Sequence, residues 1–290
     1  MKYFVVSDVH GFYTELKAAL HKNGFDVNDN NHKLVICGDL MDRGYEAEKL
    51  QSFIVELLEK DKVILVRGNH EDLIEEFLND LKYYTSAADV VYSHHWRNGT
   101  VQTALQLTHL VKDVRNSDEV IFKLMELIES NTGVADFAKM LRGTPLFKTI
   151  IPKMVNFYET DHHIFVHGWI PCATSDSWNN NDYKYIPDWR NANELCWKLA
   201  RWVNGMDCAI LFKILEPHKT IVCGHWHASF GHANYWRFST QGDEKRKQLN
   251  CDGKEFGKDA DHSPFYAEGL IAIDACTAVS KTVNCIVLED

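Results

Sequence analysis

Five short apolar runs in this sequence each lead into residue types that hold metal ions. Phe4-Val5-Val6 precedes Ser7-Asp8-Val9-His10, and Leu34-Val35-Ile36 precedes Gly38-Asp39. Val63-Ile64-Leu65-Val66 precedes Gly68-Asn69-His70, and Ile164-Phe165-Val166 precedes His167. Thr220-Ile221-Val222 precedes Gly224-His225-Trp226-His227. A strand followed at once by Asp, Asn or His sets that side chain at the carboxyl edge of a sheet, where open α/β sheets bind ligands. Five such edges brought together would make one polar cluster of oxygen and nitrogen donors, as a two-metal hydrolytic site requires.

Taken one by one, the motifs differ in weight. Asp8-Val9-His10-Gly11 is weak alone, because an Asp at a helix start is ordinarily an N-cap. Gly38-Asp39-Leu40-Met41-Asp42-Arg43-Gly44 says more: Asp39 has two oxygens, one for each of two cations. The guanidinium of Arg43 suits a phosphoryl oxygen. In Arg67-Gly68-Asn69-His70-Glu71, the Asn69 amide oxygen suits a site already rich in negative charge. His70 suits a general acid steadied by Asp42. His225 and His227, at i and i+2 after a strand, are expected on one face. His94, His95, His162, His163, His218, His232 and His262 stand in polar or helical contexts and are taken as solvated or structural.

The elements that must position these residues can be read from periodicity. Strands at about 2–7, 33–37 and 63–67 alternate with helices at about 12–22, 45–60 and from residue 71, a repeated βαβ pattern. Residues from about 72 to 150 read as helix with breaks at Asn98-Gly99 and Thr132-Gly133, an insertion beside the site. Beyond it strands are expected at about 154–158, 163–166, 220–223, 268–274 and 282–288, with one helix at about 191–204. The last two strands read as a closing hairpin, and 240–263 as a polar loop. The expectation is one α/β domain over 1–290.

A chain of 290 residues carrying −10 formal charge is poorly suited to gripping nucleic acid through its phosphates. No apolar run is long enough to span a membrane, no leader is visible at Met1, and the eight cysteines form no Cys-x-x-Cys pair. These features lead us to expect a cytoplasmic protein with free thiols.

Together, the strings resemble the calcineurin-like metallophosphoesterases, in particular their phosphoprotein phosphatase branch, marked by Gly-Asp-x-x-Asp-Arg-Gly and Arg-Gly-Asn-His-Glu. Related bacterial proteins include serine/threonine phosphatases and diadenosine tetraphosphate hydrolases. The resemblance covers about 1–75 and 155–290 and implies a four-layer αββα sandwich, here with a helical insertion. It implies that Asp8 and His10 bind one metal, that Asp39 bridges two, and that Asn69, His167 and His225 bind the second. His227 matches a further ligand of the wider superfamily, although many phosphoprotein phosphatases lack it. Arg43 would hold the phosphate beside Asn69, and His70 would protonate the leaving group with Asp42 orienting it. A second phosphate-binding arginine is expected at Arg201, with Arg190 as its rival. The family's late Asp-Thr-Gly-Ala loop stands here as Asp274-Ala275-Cys276-Thr277-Ala278, without the glycine.

The implied reaction is in-line attack on phosphorus by a hydroxide bridging two divalent cations, with Mn the first choice and Fe or Zn as alternatives. The first expectation for the substrate is a phosphomonoester of the serine/threonine type, on a phosphorylated protein, a peptide or a small phosphoester. A dinucleoside polyphosphate is the alternative, for which tryptophans among Trp96, Trp169, Trp178, Trp189, Trp197, Trp202, Trp226 and Trp236 would stack a base. A phosphodiesterase or nuclease fits the acidic charge and the Asp-Arg-Gly string less well. A catalytically idle binding scaffold would not need the full ligand set.

Overall fold

The computed structural model describes residues 1–111, 113–174, 183–241 and 254–290. Trp178, Cys251 and the charged run 242–247 lie outside the described residues.

Three βα units open the chain. Strand β1 (Lys2–Val6) leads to α1 (Tyr13–Lys22), β2 (His32–Cys37) to α2 (Ala47–Glu59), and β3 (Val63–Val66) to α3 (Asn69–Asp80). β1 and β2 pair in parallel with Val5 opposite Val35, and β2 and β3 with Ile36 opposite Leu65. The final strand, β11 (Ile286–Glu289), lies antiparallel on the other side of β1.

A second sheet orders β4 (Tyr158–Glu159), β5 (His163–Phe165), β8 (Thr220–Cys223), β10 (Leu270–Ala272) and β9 (Phe265–Ala267) as β4-β5-β8-β10-β9. A two-stranded ribbon pairs β6 (Cys172–Thr174) with β7 (Tyr183–Tyr185).

Alternation along each strand builds the layers. Val5, Val35 and Cys37 face Phe165, Val222 and Ile271 in the core between the two sheets. The residues between them, Phe4, Val6, Leu34 and Ile36, pack outward on α1 and α2. On the far side Ile164, Val166, Ile221 and Cys223 pack on α9 (Glu194–Ala200) and α10 (Gly205–Ile210). The result is the four-layer αββα sandwich.

Between α3 and β4 the chain is helical. It forms α4 (Ala87–Tyr92), α5 (His94–Asn98), α6 (Thr100–Leu107), α7 (Ser117–Glu129) and α8 (Gly133–Arg142). Val101, Ala104 and Leu105 of α6 join the same apolar cluster as Leu50 and Ile54 of α2. The inserted helices thus extend the outer layer of the first sheet.

Two expectations fail. The last two strands do not form a hairpin: β10 lies between β8 and β9 in one sheet, and β11 edges the other. The turn at Gly269, with φ +67°, closes β9 onto β10 instead, while Cys276 at φ +52° and the helix Thr277–Ser280 carry the chain across to β1. The helix expected over 191–204 is also broken. It ends at Ala200, and the Asn204 side chain accepts the Met206 and Asp207 N–H groups to cap α10.

Candidate metal centre

The carboxyl ends of β1, β2, β3, β5 and β8 meet where the sheets face each other. Asp8 (φ +50°), His10 (+51°), Asp39 (+52°), Asp42 (+74°), Arg43 (+65°) and His225 (+64°) all have left-handed backbones. Such conformations cost about 1 kcal/mol or more each, and they persist where surrounding contacts over-determine them. Those contacts are visible. The Glu71 carboxylate, at the third position of α3, accepts the N–H groups of Gly68 (2.8 Å), Asp39 (3.2 Å) and Leu40 (2.9 Å). The Asp39 Oδ1 in turn accepts the His70 N–H at 3.0 Å. A Cβ on Gly68 would stand 2.2 Å from that same oxygen.

Two groups of donors, buried but for the partly exposed His225, share Asp39. His10, Asp39 and His70 form the first, and Asp39, His167 and His225 the second, with the ligand atoms of each within 4.8 Å of one another. The imidazoles are fixed from behind. His10 Nδ1 lies 3.0 Å from the Met41 carbonyl and His167 Nδ1 lies 2.9 Å from the Cys37 carbonyl, so each Nδ1 donates and each Nε2 faces inward. His70 Nδ1 donates to Asp42 Oδ2 at 2.8 Å, and Thr100 Oγ1 donates to the same oxygen at 2.8 Å. Thr103 Oγ1 accepts the Asp42 N–H at 3.0 Å. His167 Nε2 lies 2.7 Å from Asn69 Oδ1 and 3.2 Å from Asp39 Oδ1. Asp8 accepts the His225 N–H with both oxygens, at 3.2 and 3.0 Å.

The electrostatics are those of a site built around positive charge. Burial pushes the Asp8 carboxyl up to about 6, and neighbouring Asp39 adds to the effect. Burial, with Asp8 beside it, drives Asp274 well above the usual carboxylate range. Burial works against a charged His167, but the Asp39 carboxylate outweighs it and holds the imidazolium up to about 10. Burial and Arg43 keep His10 neutral, its lone pair available, and burial lowers His225 to about 3.

Arg43 bridges the first group, with Nη1 2.9 Å from His10 Nε2 and Nη2 3.0 Å from His70 Nε2. Its guanidinium and the His167 Nε2 proton are the positive charges facing these lone pairs. Oxygen and imidazole donors without thiolate, sharing one carboxylate, fit a pair of divalent ions of the Mn, Fe or Zn type.

Two expected residues are not brought to the centre. His227 Nε2 pairs with Glu255 Oε1 at 2.7 Å, and its ring lies 4.8 Å from that of Phe256. The i, i+2 rule holds along a strand, but β8 ends at Cys223 and the backbone turns left-handed at His225. Arg201 is 2% exposed and is held by Asp72 (2.7 Å), Glu194 (2.8 Å) and Asn156. It ties α3 to α9. Arg190 pairs with Glu159 and Glu216. Among the tryptophans, Trp169, Trp189 and Trp197 are buried in the core, and Trp202, half exposed, packs its edge on His225 at 5.7 Å.

Four contributors were missed. Glu71 was legible as the third helical residue, a position from which a carboxylate reaches back to a helix start. Thr100 and Thr103 had no signal, since only the fold brings α6 to Asp42. Thr277 Oγ1 donates to the Asp8 carbonyl at 2.9 Å from a loop read only for its lost glycine.

Gly38 is where a small change should tell most about this packing. Its φ is +80°, and a Cβ there would lie 2.4 Å from His167 Nδ1 and 2.7 Å from Gly68 Cα. Gly38→Ala is expected to destabilise the fold by about 2 kcal/mol and to weaken Mn²⁺ binding. Urea melts and a metal titration check both, and wild-type values in each would show that the strand ends are not packed this tightly.

A sandwich of this topology with carboxylate and imidazole donors at its strand ends defines a metallophosphoesterase, and the chain belongs to the calcineurin-like phosphoesterases, whose family model matches residues 1–236. Among its relatives is the bis(5'-nucleosyl)-tetraphosphatase PrpE [asymmetrical] of Bacillus subtilis (strain 168). It is 35% identical over 133 residues, which are 43% of this chain and 50% of that protein. The symmetrical bis(5'-nucleosyl)-tetraphosphatase of Buchnera aphidicola is 39% identical over 71 residues, 24% of each chain. The chain thus spans half the length or less of these curated relatives. Among solved structures, the cold-active protein-tyrosine phosphatase of a psychrophilic Shewanella aligns with TM-score 0.41 and 15% identity over 100% of this chain and 75% of its own. A serine/threonine phosphatase of Saccharomyces cerevisiae aligns with TM-score 0.35 and 17% identity over 78% and 61%. The family assignment rests on the family match rather than on these two. Among the described residues, no helix is long and apolar enough to cross a membrane.

Proposed function

We propose that this protein is a two-metal phosphohydrolase and that its substrate is a dinucleoside polyphosphate. The observation that carries the chemistry is the sharing of Asp39 by two donor groups, with Arg43 across one of them. The relatives named as tetraphosphatases support the substrate. The first expectation from the sequence, a phosphoserine or phosphothreonine peptide, is the second reading.

Asp8, His10 and Asp39 would hold one cation, and Asp39, Asn69, His167 and His225 the other. Bound there, the two ions would acidify a water and neutralise charge on the phosphoryl oxygens. The chain's own groups do the rest. The two Nη groups of Arg43 grip phosphoryl oxygens in place of the His10 and His70 lone pairs they now meet. With Arg43 turned to the substrate, His70 can take up a proton on Nε2 and give it to the departing oxygen while its Nδ1–H stays on Asp42. Burial opposes charge on His70, yet Asp39 and the hydrogen bond to Asp42 outweigh it and raise its pKa. The left-handed loops hold these groups in place before substrate arrives.

The test is Mn²⁺-supplemented hydrolysis of diadenosine tetraphosphate against a phosphothreonine peptide, with products separated by chromatography. Faster turnover of the dinucleotide is expected. Preference for the peptide would overturn the substrate, and turnover of neither by metal-loaded protein would overturn the dinucleotide and peptide readings together.

A further inference from the structure

Helix α6 buries a polar stripe. Thr100, Thr103 and Gln106, spaced i, i+3 and i+6, are 0%, 0% and 7% exposed. Residues at that spacing share a helix face. Their neighbours Val101, Ala104 and Leu105 belong to the apolar core. A buried hydroxyl or amide costs free energy unless it is hydrogen-bonded, so the partners of the stripe show what it is for.

Those partners all lie in one short segment, 42–47. Thr100 Oγ1 donates to Asp42 Oδ2 at 2.8 Å, and Thr103 Oγ1 accepts the Asp42 N–H at 3.0 Å. Gln106 Nε2 donates to the Gly44 carbonyl at 3.0 Å, and its Oε1 accepts the Ala47 N–H at 3.1 Å. Gly99, just before the helix, gives the loop room: a Cβ there would stand 2.3 Å from the Arg43 nitrogen and 2.9 Å from its Cα. The helix therefore runs as a splint along the segment in which Asp42 and Arg43 both hold left-handed backbones. Asp42 Oδ1 is buried and has no hydrogen-bond partner, so Oδ2 alone takes both the His70 Nδ1–H and the Thr100 hydroxyl. Thr100 is the second donor on the oxygen that orients His70, and it keeps the carboxylate from turning its bare oxygen to the imidazole.

We propose that Thr100 is a positioning residue for the reaction, acting through Asp42 to keep the His70 imidazole aimed at the leaving group, while Gly99 lets α6 fix Arg43 at the phosphate. The assignment rests on the leaving-group role of His70 given above. It extends that role to an inserted helix that supplies no ligand to either donor group.

The experiment compares wild type, Thr100→Val, Thr100→Ser and Gly99→Ala, each Mn²⁺-loaded, on phenyl phosphate and p-nitrophenyl phosphate. Valine keeps the shape of threonine and removes the hydroxyl. Loss of an outer partner at a metal centre typically costs 10- to 100-fold, so Thr100→Val should lower kcat on phenyl phosphate about 10-fold or more. On p-nitrophenyl phosphate, whose leaving group departs without a proton, kcat should change little. Thr100→Ser restores the hydroxyl and should recover phenyl phosphate. Gly99→Ala acts through Arg43 and should raise KM for both esters, and a wild-type KM in the folded variant would overturn its part of the proposal. The Thr100 variants carry the test whether or not Gly99→Ala folds. Equal kcat losses on both esters in Thr100→Val would make Thr100 merely structural and overturn the proposal. So would unchanged kcat on both, or a serine that fails to recover.

A second readout needs no turnover. In metal-free protein the His70 Nδ1 proton should give a downfield NMR signal in wild type and Thr100→Ser that is lost to exchange with water in Thr100→Val. The same signal in all three would overturn the proposal. The two readings fail separately. If no phosphoester is hydrolysed but the signal depends on Thr100, the function falls and the positioning of His70 stands. If His70→Asn loses activity on phenyl phosphate and Thr100→Val does not, the positioning role falls and the function remains.

Discussion

Asp39→Asn is expected to lose phosphohydrolase activity by more than about 100-fold while the protein stays folded. Changing a group that merely supports a metal ligand typically costs 10- to 100-fold, and Asp39 is the one carboxylate common to both donor groups. The amide keeps an oxygen for the His70 N–H, so the loop retains that bond and circular dichroism should match wild type. A second readout separates charge from shape. In metal-free protein Asp39 holds His167 charged up to about 10 despite its burial. Without that carboxylate the imidazole should release its proton at a lower pH, visible in its NMR titration. The sign for stability follows. Because the folded pKa lies above the ordinary 6.5, charged His167 stabilises metal-free wild type fully below that pH, and the contribution fades as pH rises toward 10. Asp39→Asn should flatten this dependence. Wild-type turnover in the variant would remove Asp39 from the chemistry.

His70→Asn is expected to lower kcat by about 10²- to 10⁴-fold on esters with poor leaving groups, the usual contribution of a general acid. On p-nitrophenyl phosphate, whose leaving group departs without a proton, the loss should be much smaller. The geometry behind the prediction is the 2.8 Å contact from Nδ1 to Asp42, buttressed by Thr100, which leaves Nε2 aimed at Arg43 and the centre. His70 also belongs to one of the donor groups, so a ligand role has a distinct signature. Equal losses on both esters, accompanied by weaker Mn²⁺ binding, would make His70 a ligand and not an acid.

Much of the centre was legible because its logic is local. An apolar strand followed by Gly-Asp or Gly-Asn-His states where a side chain must stand relative to the sheet edge, and five such strings required five edges to meet. That requirement brought Asp8, His10, Asp39, Asn69, His167 and His225 together at one place. The errors came where position depends on what happens past the end of a strand. His227 was read as if β8 continued, but the backbone turns left-handed at His225. Arg201 was favoured for its sequence neighbours, yet the carboxylates that claim it, Asp72 and Glu194, come from two different helices. The closing hairpin failed for a similar reason. Two short apolar runs carry no mark of which sheet each will join, and here they join different ones. The support for Asp42 from α6 is a long-range contact, and no periodicity announces it.

The central claim is that phosphoester hydrolysis here depends on two cations sharing Asp39. The most direct measurement is a Mn²⁺ titration of metal-stripped protein, with bound metal and p-nitrophenyl phosphate hydrolysis read in the same samples. Activity that rises as the second ion per chain fills, and that is absent from Asp39→Asn at every concentration, is the predicted result. Full activity in the stripped protein, or saturation at one ion per chain, would contradict it.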